Sequence, residues 1–153
     1  MASFKGKETF TLDPKGRVNI PAKMRKSIPQ EAENTFHIMR GMEKCIFAYP
    51  INIWNEKYQP MLDKLNPFDP ANRQLKRIMY ENSEEGTLDA QQRISLPKVL
   101  LELAQINEKV TVIGVDDHIE FWNPENYEEY KKKCEDEFEE LAAKAFSGQY
   151  SND

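Results

Sequence analysis

In TLDPKGRVNIPAKMR, which runs from Thr11 to Arg25, an aspartate (Asp13), a lysine (Lys15), a glycine (Gly16) and an arginine (Arg17) share one short segment. The pattern returns in TLDAQQRISLPKVLL, from Thr87 to Leu101. Asp89 and Arg93 keep the spacing, and a proline again follows the arginine by four places. An arginine on a stiff turn offers a planar fork of donors that grips a phosphate or the O6/N7 edge of guanine, and a neighbouring lysine adds a point charge for phosphate. An aspartate opening such a turn can cap its backbone donors, so Asp13 and Asp89 are read as structural. Arg17 pairing with Asp13 only to steady its hairpin is the competing reading. Repetition of the pair with different residues between its members argues against it.

The two copies are not equal. Gln91 and Gln92 stand where Lys15 and Gly16 do, which removes a charge and a residue that takes positive φ without strain. Gln92 at positive φ would be strained by about 1 to 3 kcal/mol, enough to change the turn and redirect Arg93. The first copy also lies near Lys5, Lys7 and Lys23 in sequence, whereas the second follows Glu81, Glu84 and Glu85. The first hairpin is therefore expected to meet an anionic partner more closely.

Other chemistry is poorly represented. His37 and His118 are the only histidines, no nucleophile or carboxylate stands near them at a catalytic spacing, and no phosphate-binding glycine loop is present. An enzyme is not expected, nor is a cofactor. Cys45 and His118 occupy equivalent repeat positions, a weak metal signal better read as hairpin residues. Cys45 and Cys134 lack a Cys-x-x-Cys spacing and are expected to be reduced thiols.

The elements that position the motif repeat with it. ETFTLD and RVNIP alternate apolar with polar residues around a turn, predicting a β-hairpin, and Pro21 and Pro97 each predict a helix start. Phe36–Pro50 then matches Lys109–Asn123, with Gly41 on Gly114 and Tyr49 on Trp122. Thr11 and Thr87 are 76 positions apart, Gly41 and Gly114 73, so the first copy carries extra residues between the blocks. Each unit reads strand, strand, short helix, strand, strand. Apolar spacing predicts longer helices over 53–65 and 127–145, the second folding back onto its own body, and a basic amphipathic helix begins after Asp69 and Pro70. The tail from Ser147 is expected to fray.

The 153 residues carry a net charge of −5, which argues against a generally basic nucleic-acid binder, yet the first 26 residues are rich in lysine and arginine. No apolar run approaches a membrane span, and MASFKGKETF puts charge where a signal peptide needs its apolar stretch. A soluble cytosolic protein is expected.

The duplicated Asp-x-x-x-Arg motif, the apolar–polar–apolar–Pro run after it and the glycine hairpins resemble the tandem SpoVT/AbrB-like units of the MraZ family. The resemblance covers nearly the whole chain. It implies an α+β fold, a double-split β-barrel from two pseudo-symmetric units with flanking helices. The division would be 1–66 for the first unit with its following helix, 67–82 for a linker helix, and 83–153 for the second unit with the C-terminal helix. It also implies a bacterial transcriptional regulator, cytoplasmic and nucleoid-associated. Such a protein would assemble as a homo-oligomeric ring on repeated promoter boxes of the division and cell-wall gene cluster. Lys15, Arg17 and Arg93, with Lys5, Lys7 and Lys23, are the candidate DNA-binding residues; Asp13, Gly16 and Asp89 shape the turns. The alternative is an antitoxin-like interaction module of the same fold.

Overall fold

The computed structural model describes residues 3–150, with side chains through residue 148. The chain divides into two compact units, Met1–Asn123 and Pro124–Asp153. In the larger, the first copy of the duplication runs β1 (Lys7–Thr11), β2 (Arg17–Asn19), α1 (Ala22–Arg25), β3 (Thr35–Arg40) and β4 (Ile46–Pro50). A helical stretch follows: α2 (Ile51–Ile53), a π turn (Trp54–Tyr58), α3 (Gln59–Asp63) and then α4 (Pro70–Tyr80). The second copy is β5 (Glu84–Thr87), β6 (Arg93–Ser95), α5 (Lys98–Leu103), β7 (Lys109–Val115) and β8 (His118–Trp122). The fold is α+β, with antiparallel sheets built from the tandem copies.

Alternation predicts that β1 and β2 pair as a hairpin, but they part. The turn closes, since the Asp13 N–H donates to the Arg17 carbonyl at 3.0 Å. Beyond it β1 lies antiparallel to β7, with Thr9 opposite Thr111, while β2 lies antiparallel to β6, with Val18 opposite Ile94. In the same way β5 leaves β6 and lies against β3. The reason is burial: pairing β2 with β6 sends Val18 and Ile94 from both copies into one core, where each is fully enclosed. The later hairpins form as expected, β3 with β4 and β7 with β8, and β4 pairs with β8 to join the copies.

The result is a six-stranded sheet in the order β1-β7-β8-β4-β3-β5 and a two-stranded ribbon, β2-β6. Each copy lends its first strand to the other. The ladders leave open edges at β1 and β5 and close no barrel, a coarser arrangement than the expected double-split barrel. Phe36, Ile38, Ile46, Ala48, Val110, Val112, Ile119 and Phe121 alternate along the sheet and point into the core shared with the ribbon. Gly114 accommodates a crossing backbone, for a Cβ there would collide with the Lys5 nitrogen and the Phe4 carbonyl carbon.

The opposite face of β3, β4 and β8 is aromatic. His37 stacks on Trp54 with ring centroids 3.8 Å apart, and Tyr49 packs against Trp54 and Tyr58, which holds the helical stretch to the sheet. Pro60 sits in α3, just past the π turn; the wider turn relieves the collision a proline ring makes with the carbonyl of the preceding helical turn. α4 begins as its sequence predicts, with Asp69 Oδ1 accepting the Ala71 N–H at 2.9 Å. Of its expected apolar stripe only Met79 is buried; Leu75 and Ile78 are exposed.

The smaller unit holds α6 (Pro124–Glu135) and α7 (Phe138–Tyr150). The expected single helix is broken between them, and Tyr130, Phe138, Leu141 and Phe146 along its apolar stripe are exposed. α7 runs on through Tyr150, past the predicted fraying at Ser147. The rest of that predicted tail, residues 151–153, lies outside the described residues.

Candidate nucleic-acid interface

Both motif turns are built by their aspartates. Asp13 Oδ1 accepts the backbone N–H groups of Lys15 at 2.9 Å and Arg17 at 2.8 Å, and Oδ2 accepts Arg17 Nε at 2.5 Å. Asp89 repeats this with Gln91, Arg93 and Arg93 Nε, each at 2.9 Å. The Arg17 N–H lowers the Asp13 pKa most, against a smaller opposing effect of burial, and the Arg17 guanidinium and Lys15 N–H add to it. Asp89 is held down in the same way by Arg93 and Gln91. Both carboxylates are therefore turned onto the backbone of their own turns and shape them.

Gln92 adopts φ +64° where Gly16 has +78°. Gln92 N–H donates to the Asp89 carbonyl at 2.9 Å, as Gly16 N–H does to Asp13 at 3.0 Å. The expected change of turn does not occur. The carboxylate makes enough bonds to hold a glutamine in the left-handed region, and the Arg93 N–H and Nε bond Asp89 as those of Arg17 bond Asp13.

The arginines converge on one ribbon, Arg17 opposite Ser95 and Arg93 opposite Asn19. Their side chains are 30% and 23% exposed. They differ in restraint: Arg93 Nη1 also approaches Asp13 Oδ2 at 3.5 Å, so two carboxylates hold Arg93 while Asp13 holds Arg17. Lys15 is exposed at the first tip, Gln91 and Gln92 at the second. Beside the first tip a groove of about 760 Å³ brings Lys15, Lys98 and Lys109 together with Glu102 and Glu108. Lys5 and Lys7 are exposed at the end of β1 away from the turn, and Lys23 Nζ lies 4.0 Å from where a Cβ on Gly6 would be. These three lysines cluster near the N-terminal strand and away from the Arg17 turn.

Two features escaped the sequence reading. Arg25, on α1, donates from Nη1 to the Ile20 carbonyl at 2.7 Å. The other is a polar cluster on β8: His118 Nδ1 lies 2.9 Å from Asp117 and Nε2 2.8 Å from Glu120, while Asp117 accepts Tyr58 OH at 2.5 Å and Lys57 Nζ at 3.0 Å. An imidazole donates to two carboxylates only when doubly protonated. Burial opposes that charge, but the bonds to Glu120 and Asp117 outweigh it and raise the His118 pKa. Pattern searches miss the cluster because its members come from β8 and the helical stretch. Cys45 is buried, and among the described residues no group of three or more His, Cys, Asp or Glu is placed to hold a metal.

The family model described as "MraZ protein, putative antitoxin-like" matches residues 3–78 and again 79–148. Similar proteins named transcriptional regulator MraZ occur in Natranaerobius thermophilus, 35% identical over 91% of this chain and 94% of that protein, and in Moorella thermoacetica, 36% identical over 92% and 95%. The protein of that name in Lactobacillus delbrueckii subsp. bulgaricus is 37% identical over 91% and 94%. Two tandem family matches with the two arginine turns at corresponding places in them leave one conclusion: the chain belongs to the MraZ family.

Proposed function

We propose that this protein is a transcriptional regulator that binds double-stranded promoter DNA through the paired arginine turns of its β2-β6 ribbon. The observation that carries this reading is the ribbon itself. Turns from opposite copies bring Arg17 and Arg93 onto one ribbon, each backbone fixed by a carboxylate that bonds its own turn. Such preorganised forks suit phosphate and guanine edges and add a local positive site to an acidic chain. Relatives named as transcriptional regulators support the same reading, and that is not an enzyme class. Lys15 joins Arg17 at the first tip; Lys5, Lys7 and Lys23 form a second basic site along the DNA.

The finer architecture belongs to this proposal. Sheet and ribbon share one core and together make a double-split β-barrel, divided at 1–66, 67–82 and 83–153 as the repeats suggest. Copies of the chain assemble into a ring, which multiplies weak turn contacts by effective concentration on repeated boxes of the division and cell-wall gene cluster. Exposed Leu75 and Ile78 on α4 are surfaces available for that assembly; a monomer in light scattering at micromolar concentration overturns the ring. The protein acts in the cytoplasm at the nucleoid, and among the described residues no helix is long and apolar enough to cross a membrane.

The test is titration of a duplex from the region upstream of the protein's own gene. Arg17→Ala removes the less restrained fork and is expected to abolish specific binding with folding intact. Arg93→Ala, at a fork already shared between Asp89 and Asp13, costs less affinity and more stability. Unchanged affinity in Arg17→Ala sinks the assignment, and equal losses show that both turns engage alike. An antitoxin-like role is the second reading, favoured by exposed Phe138, Leu141 and Phe146 on α7. Co-purification of a small basic protein, with no promoter binding, selects it.

A further inference from the structure

The second tip lacks its own lysine, yet the interleaved fold bonds it to the segment that leads into the basic helix α1. The Ile20 N–H donates to the Gln92 carbonyl at 3.2 Å, just as the Leu96 N–H donates to Gly16 at 2.9 Å. Each tip is thus docked on the segment before the other copy's short helix. At the first tip, a Cβ on Gly16 would meet the Leu96 carbonyl at 3.1 Å and the Leu101 side chain at 3.3 Å. In the repeat, Leu96 corresponds to Ile20 and Leu101 to Arg25. Leu101 flanks the first tip, the repeat assigns Arg25 to the matching place at the second, and Arg25 Nη1 is anchored on the carbonyl of Ile20, whose N–H bonds that tip.

The neighbours follow the same substitution. Val99 and Glu102 on α5 correspond to Lys23 and Lys26 on α1, and both lysines are exposed. The segment that bonds the second tip thus leads into a basic helix, α1, where the segment that bonds the first leads into the mixed-charge α5. One Arg25 donor is spent on a carbonyl, which fixes the guanidinium plane, and the half-buried side chain still carries a full charge.

We propose that Arg25 is a DNA-backbone contact serving the second turn, so that the Gln91–Arg93 tip works as a composite site with phosphate affinity supplied by the other copy's helix. This rests on the DNA-binding reading above. A phosphate lying across Gln91 and Gln92 receives Arg25 from the side, whereas one at the first tip receives Lys15 from the turn itself. The composite site explains how Gln91 and Gln92 coexist with an Arg93 that bonds its aspartate as Arg17 does.

The experiment titrates the upstream duplex with the wild-type protein, Arg17→Ala, Arg25→Ala and Arg25→Gln over a range of salt. Glutamine retains a donor for the Ile20 carbonyl but no charge, so it separates anchoring from phosphate binding. Arg25→Gln is expected to bind about tenfold more weakly, with a log–log salt slope shallower by about 0.9 for each phosphate that is no longer neutralised. Arg25→Lys should recover most of the slope. Arg25→Gln with unchanged slope and affinity overturns the inference, even if Arg25→Ala melts earlier. If wild type binds and Arg17→Ala does not, that failure belongs to Arg25 alone; a wild type that does not bind overturns both readings.

Discussion

The two histidines, on β3 and β8 with β4 between them, have pKa values moved in opposite directions by their surroundings. His37 is buried against Trp54, and burial lowers its pKa to about 4. In an unfolded chain it titrates near the usual ~6.5. The unfolded state thus takes up the proton first, and stability falls as pH drops from about 6.5 toward 4. The full difference amounts to roughly 3 kcal/mol. His118 has the reverse sign: its raised pKa gives stability that is complete below the unfolded value and lost as pH rises through the folded one. The lowered carboxylates Asp13, Asp89 and Asp117 contribute above the ordinary aspartate range and lose their effect as pH falls through their folded values. Replacing His37 by Phe keeps an aromatic ring against Trp54 without a titrating group. Urea melts at pH 7 and 4.5 should show wild type losing about 2 kcal/mol more than His37→Phe between those values; equal losses would remove His37 as the acid-sensitive group.

Within the turns, what matters is that one carboxylate overrides a residue preference. Gln92 sits at φ +64° because Asp89 receives the N–H groups of Gln91 and Arg93, and the left-handed region costs a side chain about 1 kcal/mol or more. Gln92→Gly is expected to raise stability by about 1 kcal/mol in thermal or urea melts without altering the turn. The converse change, Gly16→Ala, places a Cβ 3.1 Å from the Leu96 carbonyl and lowers stability. A Gln92→Gly protein no more stable than wild type would show that the tip carries no strain. The same logic separates α4 from its flanks: its start is set by Asp69, but which of its apolar residues are buried is set by what packs there.

Across Met1–Asn123, the copies are interleaved, since β1 pairs with β7, β5 with β3 and β2 with β6. A fragment ending at residue 66 lacks partners for β1 and β2, and leaves Val18 and Phe36 without most of the core that encloses them. Fragments 1–66 and 67–153 are therefore expected to be largely unfolded apart and to gain β-structure on mixing, by circular dichroism. Independent cooperative melting of either fragment as a monomer would contradict the interleaved core. Interleaving also explains why charge along the chain misleads about charge in space: the segment that leads into the basic α1 belongs to the first copy but bonds the second turn, from the Ile20 N–H to the Gln92 carbonyl.

The local features were legible in the amino-acid order. Asp-x-x-x-Arg announced turns that the aspartate caps, Pro21 and Pro97 announced α1 and α5, Asp69 announced α4, and the repeat match that sets Gly41 on Gly114 located the hairpins β3 with β4 and β7 with β8. Each depends on residues close in sequence, where φ restrictions and capping bonds act directly. The exchange of β1 and β5, the shared ribbon, the Asp13–Arg93 contact, the bond from Ile20 to Gln92 and the His118 cluster were decided by tertiary structure. Strand partners are chosen by how much apolar surface the whole arrangement encloses, and alternation alone is compatible with several pairings. β4 makes the point most directly: every residue from Ile46 to Pro50 is buried, because one face meets the core and the other meets the aromatic helical stretch. No single-face pattern could announce a strand whose two sides are both covered.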